Sequence, residues 1–304
     1  MSGGMDSPRR LTLTVAPDQS GWKVDALLRG TLGLSGTVIR RVKWLEDGIL
    51  LDGVRVTVGD RVRAGQILSV VVGDTEVSGA IVPAPGPLDI VYQDQDVLVL
   101  NKAPGVAVHP GPGHYSDTIG NFLMDYYRKQ GILADFHPVH RLDRGTSGLL
   151  LVALHGHAQE VLKEQLHSPS FRRVYLAVCE GAPNPPSGVI DAPIGRLEGS
   201  VLARTVRPDG QRAVTHYRTL RTVNDRALVR LELETGRTHQ IRVHMAHLGH
   251  PLTGDFLYGT EDQSLIPRPA LHAAELSFTH PITGKTMAFT APLPQDMAAL
   301  VPEA

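Results

Sequence analysis

The sequence predicts an α+β protein built as a small unit followed by a larger one. Three observations carry this. The chain has 304 residues, and domains run on the order of 100–200 residues each. A stretch rich in Gly, Pro and Ser, GDTEVSGAIVPAPGP at 73–87, reads as a linker. On either side of it, apolar runs of strand length are interleaved with segments of helical period. The boundaries that follow are a flexible tail at 1–11, a compact unit at 12–73, a linker at 74–87 and a second unit at 88–304.

The elements follow in order. Residues 23–30 and 36–45 read as two short helices. In the second, Val38, Val42 and Leu45 make an apolar stripe, with Arg40, Arg41 and Lys43 off it. Segments 49–51 and 54–58 read as a hairpin around Asp52-Gly53, and 67–72 as an apolar strand. Beyond the linker, 97–101 is a strand, 119–130 a helix, and 149–154 a run short enough for a buried strand. Segment 174–178 is another strand. Segment 227–234 alternates, with Ala227, Val229, Leu231 and Leu233 on one face. Residues 239–248 read as a helix with Ile241, Met245 and Leu248 on one stripe, Thr238 as its N-cap and Gly249 as its C-cap.

Composition excludes several classes. Apolar residues at 42% and charged residues at 20% are an ordinary globular balance, not that of a disordered chain, a coiled coil or a collagen-like fibre. A formal charge of −1 argues against nucleic-acid binding through bulk positive charge. The total hides a gradient. Residues 1–73 hold ten Lys/Arg against seven Asp/Glu, a net +3, which leaves −4 for the rest. The single Cys179 lies in an apolar run, makes no internal disulfide and reads as a core residue, in keeping with a reducing cytosol. No apolar run approaches the roughly 20 residues that span a bilayer, so no membrane partner is expected. Residues 1–10 lack the apolar stretch of a secretory signal.

Four segments carry possible chemistry. HRLDRGTSGLLL at 140–151 sets His, Arg, Asp, Arg, Thr and Ser in a short loop that runs into a buried strand. Asp143 between Arg141 and Arg144 stays ionised, because opposite charge favours the carboxylate. Alone, such a tetrad is a solvated loop with turn-capping Asp and Thr. TGRTHQIR at 235–242 puts Arg237 at a strand-to-helix corner, where a guanidinium suits a phosphate or a carboxylate. His239, His244, His247 and His250 invite a metal reading. They lack an HExxH pattern, a tight common face and an acidic partner, so no metal is expected. FRRVYLAV at 171–178 places Tyr175 behind Arg172 and Arg173, where an aromatic is either sheet surface or a platform for a base.

Together these segments resemble the RluA-type pseudouridine synthases. HRLDRGTSGLLLVA at 140–153 is similar to the family's signature, usually HRLDRDTSG. NKAPGVAVHP at 101–110, RRVYLAV at 172–178, LETGRTHQIRVHMAHLGHPLTGDFLYG at 233–259 and LHAAELSFTHPITG at 271–284 are similar to its other motifs, in the right order. The likeness spans 87–294. Residues 12–73 more loosely resemble an S4-type RNA-binding domain, through VDALL, a basic helix, GILLDGVRV and VGDRVRAGQ. Ser35-Gly36 stands where that family usually has Ser-Arg.

The resemblance implies an S4-like α/β domain followed by a catalytic domain with a mixed, mainly antiparallel central sheet flanked by helices. It implies a cytoplasmic isomerase that needs no cofactor. The arrangement is that of RluD-like enzymes, so the partner implied is large-subunit ribosomal RNA. A synthase acting on tRNA, or an rRNA-binding assembly factor with secondary catalysis, is the alternative. No protein partner is evident, and a monomer is the default. By similarity, Asp143 is the catalytic aspartate, Tyr175 stacks on the target base, and Arg237 pairs with the aspartate. Arg141 displaces the target nucleotide and Ile241 walls the pocket. Arg40, Arg41 and Lys43 would contact phosphates from the S4-like unit, with Arg172, Arg173 and Arg242 around the cleft. Gly145 departs from the family's usual Asp.

The reaction breaks the N1–C1′ bond of uridine, rotates the base and rejoins it through C5. Two first steps are open to Asp143: attack on C1′, as by a retaining glycosidase nucleophile, or removal of the 2′ proton to give a glycal. Tyr175 is then a candidate for the base, or its relay, that clears the C5 proton. A target inside folded RNA must be flipped out and held by stacking.

Overall fold

The computed structural model describes residues 8–303. The first unit is a four-stranded antiparallel sheet of β1 (Arg10–Thr14), β2 (Ile49–Leu51), β3 (Val54–Arg55) and β4 (Ile67–Val71), in the order β1-β4-β2-β3. Helix α1 (Val24–Ala26) runs on into a π-helical turn, Leu27–Thr31, and α2 (Gly36–Val42) follows. Ser35 caps α2 by accepting from the Val38 amide at 3.3 Å. Asp52 and Gly53 both have positive φ, 50° and 81°, as the tight turn of a twisted hairpin requires. Leu27, Leu28, Val42, Leu68 and Val70 close the core between helices and sheet.

Two expectations need correction here. The tail expected at 1–11 is a strand from Arg10 onward, paired from Arg10 with Val71 to Thr14 with Ile67. Residues 1–7 of that expected tail lie outside the described residues. The expected linker is an ordered strap without regular structure. Asn121 Nδ2 donates to Val82 O at 2.8 Å, and Ala84 N donates to Asn121 O at 3.1 Å. A Cβ on Gly86 would run into the Phe122 ring, so glycine lets the strap lie flat on the larger unit.

That unit is built on a ten-stranded sheet. Its strands are β5 (Ile90–Gln93), β6 (Val97–Lys102), β7 (His137–Pro138), β8 (Ser147–Ala153), β9 (Arg172–Glu180), β10 (Ser187–Asp191), β13 (Val214–Val223), β14 (Arg226–Leu233), β15 (Leu271–Thr279) and β16 (Thr286–Thr290). The main path runs β10-β13-β14-β9-β15-β8-β6-β5, with β7 on β8 and β16 on β15. β8 and β15 pair in parallel; the remaining pairs are antiparallel. The sheet is therefore mixed and mainly antiparallel. A two-stranded hairpin, β11 (Ile194–Arg196) and β12 (Arg204–Val206), stands beside it.

β8 is buried along its whole length, which is why its sequence is continuously apolar. Leu150 and Val152 face one core, with Leu98, Leu100, Phe122 and Tyr127 of α3 (Ile119–Gln130). Leu149 and Leu151 face the other, with Val97, Val99 and Ala158 and Leu162 of α4 (Gly156–Gln165). Both cores need every second residue of β6 and β8, and this pins the register. Helices α5 (Gln240–His247) and α6 (Gln295–Ala298) complete the unit.

Candidate active site

Three chain segments converge at the leading end of β8. The first is the loop carrying Asp143. Thr146 N donates to Asp143 O at 3.0 Å, which folds 143–146 into a turn. The turn is stapled to the loop after β6. Gly105 N donates to Arg144 O at 2.8 Å, and Arg144 Nε donates to Gly105 O at 2.9 Å. Lys102 is buried beneath both, and its ammonium donates to the carbonyls of Ala103, Val106 and Arg144 at 2.8, 2.9 and 3.2 Å. Burial, reinforced by Arg268, pushes this lysine down to about 7, while Asp143 opposes the shift. Gly148 has φ 106°, and a Cβ there would run into Ala273 O, so only glycine lets β15 approach at this point.

The second segment is β9, which brings Tyr175 against Leu231 and Ala273 of its two neighbouring strands. Tyr175 is buried. Burial pushes its hydroxyl up from the ordinary 10.0; Arg173 counteracts this and the Asp143 charge adds to it. The side chain enters the site as a neutral phenol.

The third segment is the corner from β14 into α5. Gln240 anchors it. Its Oε1 accepts from Thr235 Oγ1 and Arg237 N at 2.8 and 2.9 Å, and its Nε2 donates to Val214 O and Thr215 Oγ1, both at 3.0 Å. The helix start is His239, with φ 59° and no side-chain cap, so the expected Thr238 cap is not made. The next turn sends Arg242 inward. Its guanidinium forks onto the fully buried Asp255 through Nε and Nη2, both at 2.7 Å. Its Nη1 lies 3.8 Å from Asp143 Oδ2.

A cavity of about 350 Å³ opens between these segments, lined among others by Arg141, Asp143, Tyr175, Arg237, Ile241 and Arg242. An adjoining hollow of about 860 Å³ shares Arg141, Asp143, His239 and Arg242 and adds His109, Arg144 and Phe256. Asp143 thus sits where two hollows meet, with its side chain 28% exposed. Its ion-pair partner is one that can be neither displaced nor neutralised. Arg242 is buried and already committed to Asp255, and two aromatic rings, Phe256 and Tyr258, lie 5.4 and 5.0 Å from its guanidinium.

The five expected cleft residues, Asp143, Tyr175, Arg237, Arg141 and Ile241, all line the first cavity. Their expected pairing needs correction. Arg237 donates from Nε to Arg212 O at 2.9 Å, and the arginine facing Asp143 is Arg242. Arg237 stands on the corner ahead of α5, whereas Arg242 lies inside the helix on the turn that faces the loop before β8. Among the other arginines, Arg173 is buried against the cavity. Arg172 lies outside it and forks onto Glu232 at 2.9 and 3.0 Å. In the first unit, Arg40 and Lys43 are free of ion pairs among the described residues, and the Lys43 ammonium sits 4.9 Å from the exposed Trp44 ring. Arg41 is not available to phosphate as expected. It donates to Val72 O and Gly73 O at 2.9 and 3.1 Å and pairs with Asp74 at 3.5 Å.

The histidines expected not to bind metal are dispersed: His244 lies between Thr215 and Ala192, and His250 on Glu180 O. The nearest approach to a ligand set among the described residues is Asp94, Asp96 and His280. Asp96 there already pairs with Arg9 and His155 at 2.8 and 3.0 Å. Sequence reading missed Lys102 and Asp255, and weighed His239 only as a metal ligand. The first two carry a signal in hindsight, a charged residue ending an apolar strand and an acid following a basic helix.

Comparison with known proteins bears on this geometry. The family model described as RNA pseudouridylate synthase matches residues 96–247. Among relatives, the chain is 46% identical over 272 residues to the uncharacterized RNA pseudouridine synthase YjbO of Bacillus subtilis (strain 168), covering 90% of this chain and 96% of that one. It is 36% identical over 309 residues to ribosomal large subunit pseudouridine synthase D of Nitrosomonas europaea, covering 99% and 89%. Among solved structures, human RNA pseudouridylate synthase domain containing 1 aligns with a TM-score of 0.57 at 28% identity, over 68% of this chain and 85% of that one. A half-buried aspartate held by a caged arginine in a cleft therefore stands in a chain that belongs to the RNA pseudouridylate synthases of the RluA type, which are isomerases.

Proposed function

We propose that this enzyme converts specific uridines of large-subunit ribosomal RNA to pseudouridine, with Asp143 as the reacting carboxylate. The observation that carries the reading is the Arg242–Asp143 approach at the meeting point of two hollows. A fixed cation aims the carboxylate while leaving one face open to substrate. The large-subunit substrate is inferred from relatives such as the Nitrosomonas europaea protein, which the chain matches almost end to end.

In this reading the target nucleotide leaves its helix and its base enters the smaller cavity. Tyr175 and Ile241 form apolar walls for the ring. Arg141, exposed at the rim, takes the space the base vacates. Asp143 acts on the ribose, at C1′ or at the 2′ proton, and no group in either route is consumed. Tyr175, a neutral phenol, serves in the relay that removes the C5 proton. The first unit acts as an S4-like RNA-binding domain, with Arg40 and Lys43 touching phosphates, and the enzyme works in the cytoplasm as a monomer.

The test is pseudouridine formation by Asp143→Asn on ribosomal RNA from a strain lacking the gene. Turnover is expected to vanish while RNA binding persists. Retained turnover would sink the assignment of Asp143. Mapping pseudouridines in that strain's RNA tests the substrate, and an unchanged large-subunit pattern would count against it.

A further inference from the structure

His239 is an unusual residue to begin a helix. Its φ of 59° lies in the left-handed region, which residues other than glycine seldom adopt unless their surroundings insist. Three contacts insist here. Val243 N donates to His239 O at 2.9 Å, which starts α5, while Gln240 holds the preceding corner. His239 Nδ1 lies 2.8 Å from Tyr258 Oη. Tyr258 is placed by Asp255, whose Oδ1 accepts from Leu257 N and Tyr258 N at 3.0 and 3.2 Å as well as from Arg242. One buried carboxylate therefore positions both the arginine that faces Asp143 and the tyrosine that holds His239.

The hydrogen bonds favour one tautomer. Arg204 N donates to Tyr258 Oη at 2.8 Å. The tautomer that lets the tyrosine give its own hydrogen to His239 Nδ1 carries the ring proton on Nε2. Nε2 has no partner within the protein among the described residues, and His239 lines both hollows that meet at Asp143. Burial holds the ring below its ordinary 6.5, the Asp143 charge opposes this, and Arg242 adds to it. The group offered to the cleft is thus a neutral N–H donor with no internal use.

We propose that His239 is a further catalytic residue, donating its Nε2–H to a carbonyl oxygen of the uracil once the base has left the ribose. When the N1–C1′ bond breaks, its electron pair stays with the uracil, whose oxygens then carry the negative charge. A fixed donor stabilises that charge without giving up its proton, so the base remains the anion that must attack through C5. The inference rests on Asp143 being the residue that opens this bond.

Two measurements on the full-length enzyme test it. Nitrogen NMR of 15N-histidine-labelled protein, with His239→Asn to assign the signal, is expected to show the Nε2–H tautomer at neutral pH. Tyr258→Phe is expected to abolish that preference. An Nδ1–H ring or an imidazolium would overturn the proposal. Kinetics on a uridine-bearing RNA stem-loop form the second arm. His239→Asn, which tolerates the left-handed backbone, is expected to lower kcat on the order of ten- to a hundredfold with KM little changed. The double variant with Tyr258→Phe should be no slower than His239→Asn alone. An unchanged kcat, an effect confined to KM, or multiplicative losses would overturn the role. Because the NMR arm does not depend on turnover, failure of the Asp143 assignment would show separately in Asp143→Asn.

Discussion

Two arginines five residues apart have different fates, and the difference is geometric. Arg242 has a planar fork that satisfies Asp255 with two bonds and leaves Nη1 for Asp143. Arg237 makes a single bond to a backbone carbonyl at the cavity edge. Arg242→Lys is therefore expected to lower pseudouridine turnover by about a hundredfold or more, since an ammonium cannot fork Asp255 and reach Asp143 together. Arg237→Ala should retain far more activity in the same assay; equal losses would contradict the pairing. Lys102 gives a second prediction. It releases its proton near 7 when folded, but near the ordinary 10.5 when unfolded. Between those values the unfolded chain binds more protons, so stability should rise with pH across that window. Denaturant midpoints from pH 7 to 10 are expected to show this rise in the native enzyme and a weaker one in Lys102→Met.

Among the elements, the strap at 73–87 joins the two units. Asp74 is its buried pin, accepting from Asp135 N at 2.9 Å and from His137 Nε2 at 2.7 Å, with Arg41 alongside. These contacts hold its carboxyl below the ordinary 3.8 against burial, which opposes them; His137 is the largest favourable cause. Removing the carboxylate leaves the half-buried Asp135 amide and His137 imidazole without this partner. Asp74→Ala is therefore expected to cost about 1–3 kcal/mol in chemical denaturation. It should also expose 75–85 to limited proteolysis. An unchanged midpoint would mean that the strap is held by its packing on α3 alone.

For the whole molecule, the near-neutral total is an average over two differently charged parts, +3 in residues 1–73 and −4 in the rest. Among the described residues, no helix is long and apolar enough to cross a membrane. RNA affinity should fall with salt because phosphate contacts release counterions. Arg40→Ala and Lys43→Ala are each expected to lower affinity and flatten the salt slope by about 1. Arg41→Ala should instead lower the melting temperature and leave the slope alone, since Arg41 already serves Val72, Gly73 and Asp74. Binding titrations at several salt concentrations separate the two outcomes.

Much of this is legible in the linear chain. The buried strand after Asp143, the helix at 119–130 and the Asp52-Gly53 turn follow from apolar period and turn chemistry, because those are local constraints. Asp143 and Tyr175 are legible through the family their motifs resemble, since local pattern alone reads a capped loop and a sheet residue. What the tertiary structure alone decides is which charges meet. Whether Arg237 or Arg242 faces Asp143 depends on Gln240 gripping Val214 and Thr215, some 25 residues away in sequence. Whether Arg41 is free for a phosphate depends on carbonyls that arrive from the end of β4. Sequence determined several of the elements, their order and the chemical groups on offer. The fold decided the pairing, because a guanidinium goes to whichever carboxylate or carbonyl is brought within a few ångströms, and that distance is set by contacts remote along the chain.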